Sequence, residues 1–200
     1  MKKRISIAVS VVALALLLIA GTVAVTVAYL TSVKQVTNTF TVGKVEITLF
    51  ETPVDADGQK TSGDPVLTNE YHLLPGKTYD KDPTVTVKAG SEACWLFVKV
   101  ENGISDLVVA NCIEDQMADA DWAELTGVAG VWYKKIDAKT TSDTEYPTFT
   151  TFTLKDDADV ASLTFAQDAT TADETIVVTA YAIQVAELDT AEKAWAALGN

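Results

Sequence analysis

The chain begins with a long uncharged stretch that passes almost directly into a sequence typical of a β-strand. Lys2, Lys3 and Arg4 precede residues 5–28, which carry no charge. Residues 36–49, VTNTFTVGKVEITL, are rich in β-branched side chains and predict extended chain. A basic start followed by an apolar run is typical of an export signal. We therefore expect the protein to act outside the cytoplasmic membrane and its folded part to begin with a strand.

Small residues at the end of the apolar run predict a cleavage site. Thr26 and Ala28 occupy the two positions that a signal peptidase recognises, so that Tyr29 would be the new N-terminus. The run of 24 residues is also long enough to cross a bilayer, which needs about 20. An uncleaved N-terminal anchor is therefore the alternative. In both cases the basic end stays inside the cell, and residues 29–200 lie outside.

The charge balance excludes several classes of partner. The chain has 28 acidic and 15 basic side chains, and removal of residues 1–28 would leave 12 basic ones and a net charge of −16. Binding to nucleic acid requires Lys and Arg to neutralise phosphates, and docking on anionic lipid requires a basic surface. We expect neither, and we expect contact with the membrane only through residues 5–28 before cleavage. Residues 29–200 have the length of one domain.

The pattern of the remaining chain predicts an antiparallel β-sandwich. Strands are expected at residues 82–88, 132–136, 149–154 and 175–185, and the last of these is apolar enough to lie near the middle of a sheet. Residues 53–69 are rich in turn-forming side chains and predict an exposed loop. The predicted core comprises Phe40, Val45, Ile47, Val85, Val87, Trp95, Phe97, Val98, Phe152, Ile176, Val178 and Ile183.

Two short helices are expected to interrupt the strands. Apolar side chains recur at helical spacing over residues 113–125. Near the C-terminus, Asp189 and Glu192 predict a capping box for a helix over residues 191–198, with Gly199 as its stop. We expect Trp195 to pack this last helix against the sheets.

The two cysteines leave their pairing open. Residues 93–101 predict a strand, Asn102-Gly103 is a hairpin signal, and residues 107–110 would form the return strand. A three-residue loop places Cys94 opposite Cys112 and allows a disulfide. A two-residue loop shifts the register by one, and both cysteines are then free thiols that pack as small hydrophobes.

Neither a catalytic nor a metal-binding motif is evident. The chain has a single histidine, His72, which we interpret as a strand residue, and zinc peptidases commonly use two histidines on one helix face. Asp55, Asp57 and Gly58, with acidic residues downstream, resemble a calcium loop only faintly, because the glycine comes too early. We therefore expect no cofactor, no bound metal and no enzymatic activity.

Several segments nevertheless resemble the TasA/camelysin family of exported proteins in spore-forming Gram-positive bacteria, whose signals are cut by the dedicated peptidase SipW. The matching segments are AYLT at residues 28–31, NTFTVGKV at 38–45, LPGKTYDKDPTV at 74–85 and AYAIQ at 180–184. The N-terminal third is covered well and the rest thinly. The first two segments are the most specific, because a strand so soon after a cleavage site is unusual.

The resemblance implies a jelly-roll β-sandwich and a secreted subunit of biofilm matrix fibres or of the cell surface. In such fibres the N-terminal segment of one subunit completes a sheet of the next. Here that segment would be an arm over residues 29–41, whose apolar side chains, with the following valine, are Tyr29, Leu30, Val33, Val36, Phe40 and Val42. The expected partners are further copies of this chain, a signal peptidase of SipW type and accessory matrix proteins. The alternatives are a monomeric surface module held by an uncleaved anchor and, because camelysins have been described as such, a metallopeptidase.

Overall fold

The structure is a computed structural model that describes residues 45–137, 141–160 and 175–199. These residues form antiparallel strands and two short helices, so the predicted all-β class is confirmed. In chain order the elements are β1 (Ile47–Phe50), β2 (Thr78–Asp80), β3 (Thr84–Val87), β4 (Cys94–Asn102), α1 (Cys112–Asp119), β5 (Ala123–Glu124), β6 (Val131–Ile136), β7 (Thr144–Pro147), β8 (Thr151–Thr153), β9 (Ile176–Gln184) and α2 (Ala191–Ala197).

The described strands are distributed over three sheets. One has the order β1-β3-β7, a second pairs β2 with β8, and the largest has the order β5-β6-β4-β9. The strand β4 is the centre of the largest sheet, since all nine of its residues pair with β9, from Cys94 opposite Gln184 to Asn102 opposite Ile176. Its other side pairs with β6.

Buried side chains from all three sheets form one hydrophobic cluster. Ile47 of β1, Val85 of β3, Tyr79 of β2, Phe152 of β8 and Leu96 of β4 all belong to it, and each is almost completely buried. The alternation in β3, where valines point inward and threonines outward, follows from the period of two in an extended chain. The strand predicted at residues 82–88 is thus confirmed, with shorter bounds.

The opposite face of the largest sheet is also buried, because α2 covers it. Trp95, Phe97 and Ile183 lie on this face and pack with Trp195 of the helix; the ring centroids of Phe97 and Trp195 are 5.2 Å apart. The indole N–H of Trp95 donates to the carbonyl of Leu188, just before the helix, at 2.9 Å. Burial on both faces explains why the sequence around Trp95 is apolar at successive positions rather than alternating. The predicted role of Trp195 is confirmed.

Both predicted helices are present, with differences at their ends. The first ends at Asp119, and Trp122 and Leu125 of the predicted stripe lie beyond it, both buried. The second begins at residue 191, as predicted, and ends at Ala197, one residue before the predicted end. Its N-cap is Thr190, whose hydroxyl accepts from the N–H of Lys193 at 3.3 Å. The predicted capping box at Asp189 is therefore wrong, and the Asp189 carboxylate instead contacts the Lys193 ammonium at 2.7 Å.

The hairpin predicted after β4 is wrong. The chain does turn after Asn102, but residues 107–110 do not return along β4, and Val108 forms a bridge with Leu154 instead. Both sides of β4 are occupied by the longer strands β6 and β9, which offer more pairs than a four-residue return strand. Cys94 consequently lies opposite Ile136 and Gln184 rather than Cys112.

The strand predicted at residues 175–185 is present as β9, with bounds 176–184, and among the described strands it pairs with β4 alone. Apolar side chains on both of its faces are buried. Ala180 and Ala182 face the main cluster, whereas Ile183 lies under α2. Of the predicted core, Ile176 and Val178 are only half-buried and Phe40 lies outside the described residues. The nine others are buried: Val45, Ile47, Val85, Val87, Trp95, Phe97, Val98, Phe152 and Ile183.

Candidate functional site

The predicted cleavage residues Thr26, Ala28 and Tyr29 lie outside the described residues, and so does the whole predicted arm. The description begins at Val45, which is fully buried, two positions before β1. The described residues therefore include the sheet edges that an arm could join, whereas the arm itself stays a prediction.

Strand ends and edges are the features of the described residues that bear on assembly. The longest edge belongs to β9, whose residues 176–180 pair with residues 98–102 of β4 on one side and with no other described strand. Val177 on this stretch is 39% exposed. An extended chain that meets such an edge can pair with it through main-chain hydrogen bonds.

A second exposed apolar pair lies where β1 ends. Phe50 is 39% exposed and Leu67 is 53% exposed. Glu51 forms an antiparallel bridge with Val66, so the register places Phe50 and Leu67 next to one another. This isolated bridge continues antiparallel pairing directly beyond the end of β1.

Glu51 of this bridge also belongs to a largely buried polar cluster that the sequence did not reveal. Lys81 and Glu51 are each only 8% exposed, and the Lys81 Nζ lies 2.5 Å from the Glu51 Oε1. The other oxygen of that carboxylate accepts from the Asn69 side-chain amide at 3.1 Å. These residues are separated by up to 30 positions, so no local motif could have identified them.

Two further ionisable groups border the cluster. Burial, reinforced by the carboxylates of Glu51 and Asp82, raises the pKa of the Tyr71 phenol well above its ordinary value. Burial also acts to raise the pKa of Asp82. That effect is outweighed by hydrogen bonds from the N–H and hydroxyl of Thr52 and by the ammonium of Lys60, so the pKa is lowered overall. The carboxylates of Glu51 and Asp82 are thus each held by an ion pair with a lysine and by hydrogen bonds.

Both cysteines are free thiols. Burial raises the pKa of Cys94 to about 11, and burial also raises the pKa of Cys112, which is half-buried at the start of α1. A thiol with a raised pKa is a poor nucleophile and a poor metal ligand at neutral pH. Both side chains therefore have the character of packing residues.

The residues considered as metal ligands are not brought together. His72 lies in an irregular segment rather than in a strand, which corrects the interpretation from the sequence. The carboxylate of Asp55 accepts from the N–H groups of Asp57 and Gln59 and closes a turn, while Asp57 pairs with Lys77. In residues 45–137, 141–160 and 175–199, no three side chains of His, Cys, Asp or Glu are grouped as a metal site requires.

Comparison of the chain with protein-family models, with curated proteins and with solved structures finds no match. Within the described part of the chain, no helix is long and apolar enough to cross a membrane.

Proposed function

We propose that this protein is an exported structural subunit whose copies assemble head to tail into extracellular fibres. In this proposal the chain is cut after Ala28, and the arm over residues 29–41 of one copy adds to a sheet edge of the next. The fold would be a jelly-roll β-sandwich, and the protein would not be an enzyme. The proposal is supported by the resemblance of the N-terminal segments to TasA/camelysin proteins and by the antiparallel sheets.

The observation that carries the proposal is the edge formed by residues 176–180 of β9. Main-chain pairing along this edge would supply affinity, and the half-buried and exposed valines there would contact alternate side chains of the incoming strand. In residues 36–42, VTNTFTV, the apolar side chains Val36, Phe40 and Val42 would share one face of a strand, with Asn38 as the one polar residue on that face. A head-to-tail contact does not close on itself and therefore gives filaments.

Charge supports docking of this particular segment. The arm carries a single charge, that of Lys34, in a chain that would have a net charge of −16 after cleavage. Two acidic surfaces repel one another, whereas a neutral or weakly basic strand meets little repulsion. Cleavage would also release the arm from the apolar run that holds it at the membrane, so processing would control when assembly begins.

The test is electron microscopy of the purified mature protein and of a variant that lacks residues 29–37. We expect filaments from the former and a folded, soluble monomer from the latter. Val177→Lys is the acceptor-side variant, because it adds a charge beside the proposed pairing edge. Leu74→Lys is the matched control, because Leu74 is 56% exposed but lies in an irregular segment.

Unchanged filaments from both the truncated chain and Val177→Lys would refute the donor-strand mechanism. The N-terminal sequence of the extracellular form tests export separately: Tyr29 as first residue supports cleavage. Recovery of only full-length, membrane-held chain would favour the anchored module instead.

A further inference from the structure

The buried cluster of Lys81, Glu51 and Asn69 contains the three groups that an amide-forming reaction needs. Lys81 supplies an amine, and Asn69 supplies a carboxamide carbon that an amine can attack. Glu51 contacts both partners through its two oxygens, at 2.5 Å from the Lys81 nitrogen and 3.1 Å from the Asn69 nitrogen. A single carboxylate thus lies where it can take a proton from the nucleophile and deliver one to the leaving group.

We propose that Lys81 and Asn69 become joined by an intramolecular isopeptide bond, with Glu51 as the proton carrier. One proton passes from the Lys81 ammonium to Glu51, and the neutral amine attacks the Asn69 carbonyl carbon. The new C–N bond forms as the C–N bond to the side-chain nitrogen of Asn69 breaks. Glu51 returns its proton to this departing nitrogen, which receives a second proton from the attacking amine and leaves as an ammonium ion. No oxidant, reductant or cofactor is consumed.

The carboxamide is held in a defined orientation by the segment that follows β1. Its nitrogen donates to the carbonyl of Thr52 at 2.9 Å, and its oxygen accepts from the N–H of Val54 at 3.1 Å. A carbonyl can only accept and an N–H can only donate, so these two contacts decide which side-chain atom of Asn69 is oxygen. The Val54 N–H also lies where it would stabilise the negative charge that develops on that oxygen during attack.

Burial of the cluster favours attack by the Lys81 amine, because it limits the access of water. Lys81 and Glu51 are both only 8% exposed and Asn69 is half-buried, so water has little access to solvate the Lys81 ammonium. The Glu51 carboxylate contacts both the amine and the carboxamide, and groups held close together in this way react faster than separate molecules. The same three side chains arranged only for stability would be a costly choice, because a buried ion pair is often no better than an apolar replacement.

Intact-mass spectrometry of the full chain, purified after folding, tests the proposal. We expect a mass lower than that of the sequence by one ammonia. Lys81→Arg should keep the charge beside Glu51 but remove the nucleophile, and Glu51→Gln should remove the proton carrier; both variants should have their full sequence mass. Lys77→Arg is the matched control, since Lys77 pairs with Asp57 nearby and should leave the ammonia loss unchanged.

Peptide mapping locates the bond and separates it from other ammonia losses, such as cyclisation at Asn102-Gly103. Trypsin cannot cut after a modified Lys81, so residues 61–77 should be found linked to residues 78–88. This linked pair in the wild-type protein would support the proposal even if a variant fails to fold. A wild-type mass equal to that of the sequence after prolonged incubation of the folded protein would overturn it, and so would an ammonia loss that peptide mapping places at Asn69 in Lys81→Arg.

Discussion

Replacement of Gly58 by alanine is expected to cost far more stability than the same change at another glycine of similar backbone conformation. Gly58 has φ of +70°, and a Cβ built there would lie 2.3 Å from the Cδ1 of Tyr79. Tyr79 cannot easily move, because it is fully buried and stacks on Phe152 with 5.1 Å between ring centroids. Its hydroxyl donates to the His72 carbonyl at 2.8 Å.

The expected loss in the free energy of unfolding has two separate contributions. A residue with a Cβ in the left-handed region costs about 1–2 kcal/mol. Extra volume in a well-packed core adds about 1–3 kcal/mol. Together they predict a loss of about 2–5 kcal/mol for Gly58→Ala, which corresponds to a fall in Tm of about 4–20 °C for a domain of this size.

Gly90→Ala is the matched control. Gly90 has φ of +86°, but no atom lies within 4 Å of a Cβ built there. It should therefore show only the backbone cost of about 1–2 kcal/mol. Urea denaturation of both variants without residues 1–28, followed by tryptophan fluorescence, gives the two values. Equal losses would show that Tyr79 is not held against Gly58, and the reasoning would be refuted.

Three further predictions concern the core, the thiols and the response to acid. Val98→Asp places an unpaired charge at a fully buried position of β4 and should cost about 3–5 kcal/mol or prevent folding, as measured by thermal melting; a normal Tm would mean that the side chain does not face the core. Cys94 and Cys112 should react with a thiol reagent slowly in the native protein and fully, as two thiols per chain, after unfolding without reductant; fewer than two would indicate a disulfide. The lowered pKa of Asp82 predicts stability that is fully present above its unfolded pKa of about 3.9 and is lost as the pH falls through the folded pKa, so Asp82→Asn should be less stable at neutral pH and should flatten the acid side of the stability curve.

The parts of the fold that could be predicted are those in which a residue's neighbours are close in sequence. The alternation around Val85 indicates one buried and one exposed face. The helical spacing of Ile113 and Met117 likewise indicated α1, and both side chains are buried there. These signals arise from backbone geometry alone, which repeats every 2.0 or 3.6 residues.

The parts that could not be predicted depend on which strand lies next to which. The turn at Asn102-Gly103 exists, but a turn signal does not reveal that β6 and β9 already occupy both sides of β4. The apolar run of β9 has the same appearance whether a second sheet or the helix α2 covers its outer face. The contact between Lys81 and Glu51 joins positions 30 apart, so only the folded chain brings it into view.

The proposed donor arm precedes β1, and the proposed isopeptide bond lies beyond the other end of this strand. The proposed arm ends a few residues before β1, so a pull on the arm by a neighbouring subunit would enter the fold through that strand. Only four residue pairs, from Ile47 opposite Val87 to Phe50 opposite Thr84, hold β1 to β3. The segment directly after β1 is bound to Asn69 through Glu51, Thr52 and Val54. A covalent bond from Asn69 to Lys81 would fix Asn69, which the segment after β1 contacts through these hydrogen bonds, to the chain directly after β2. Under the two proposals, tension that enters at the start of β1 would pass along this strand to its other end, where the cluster of Lys81, Glu51 and Asn69 lies.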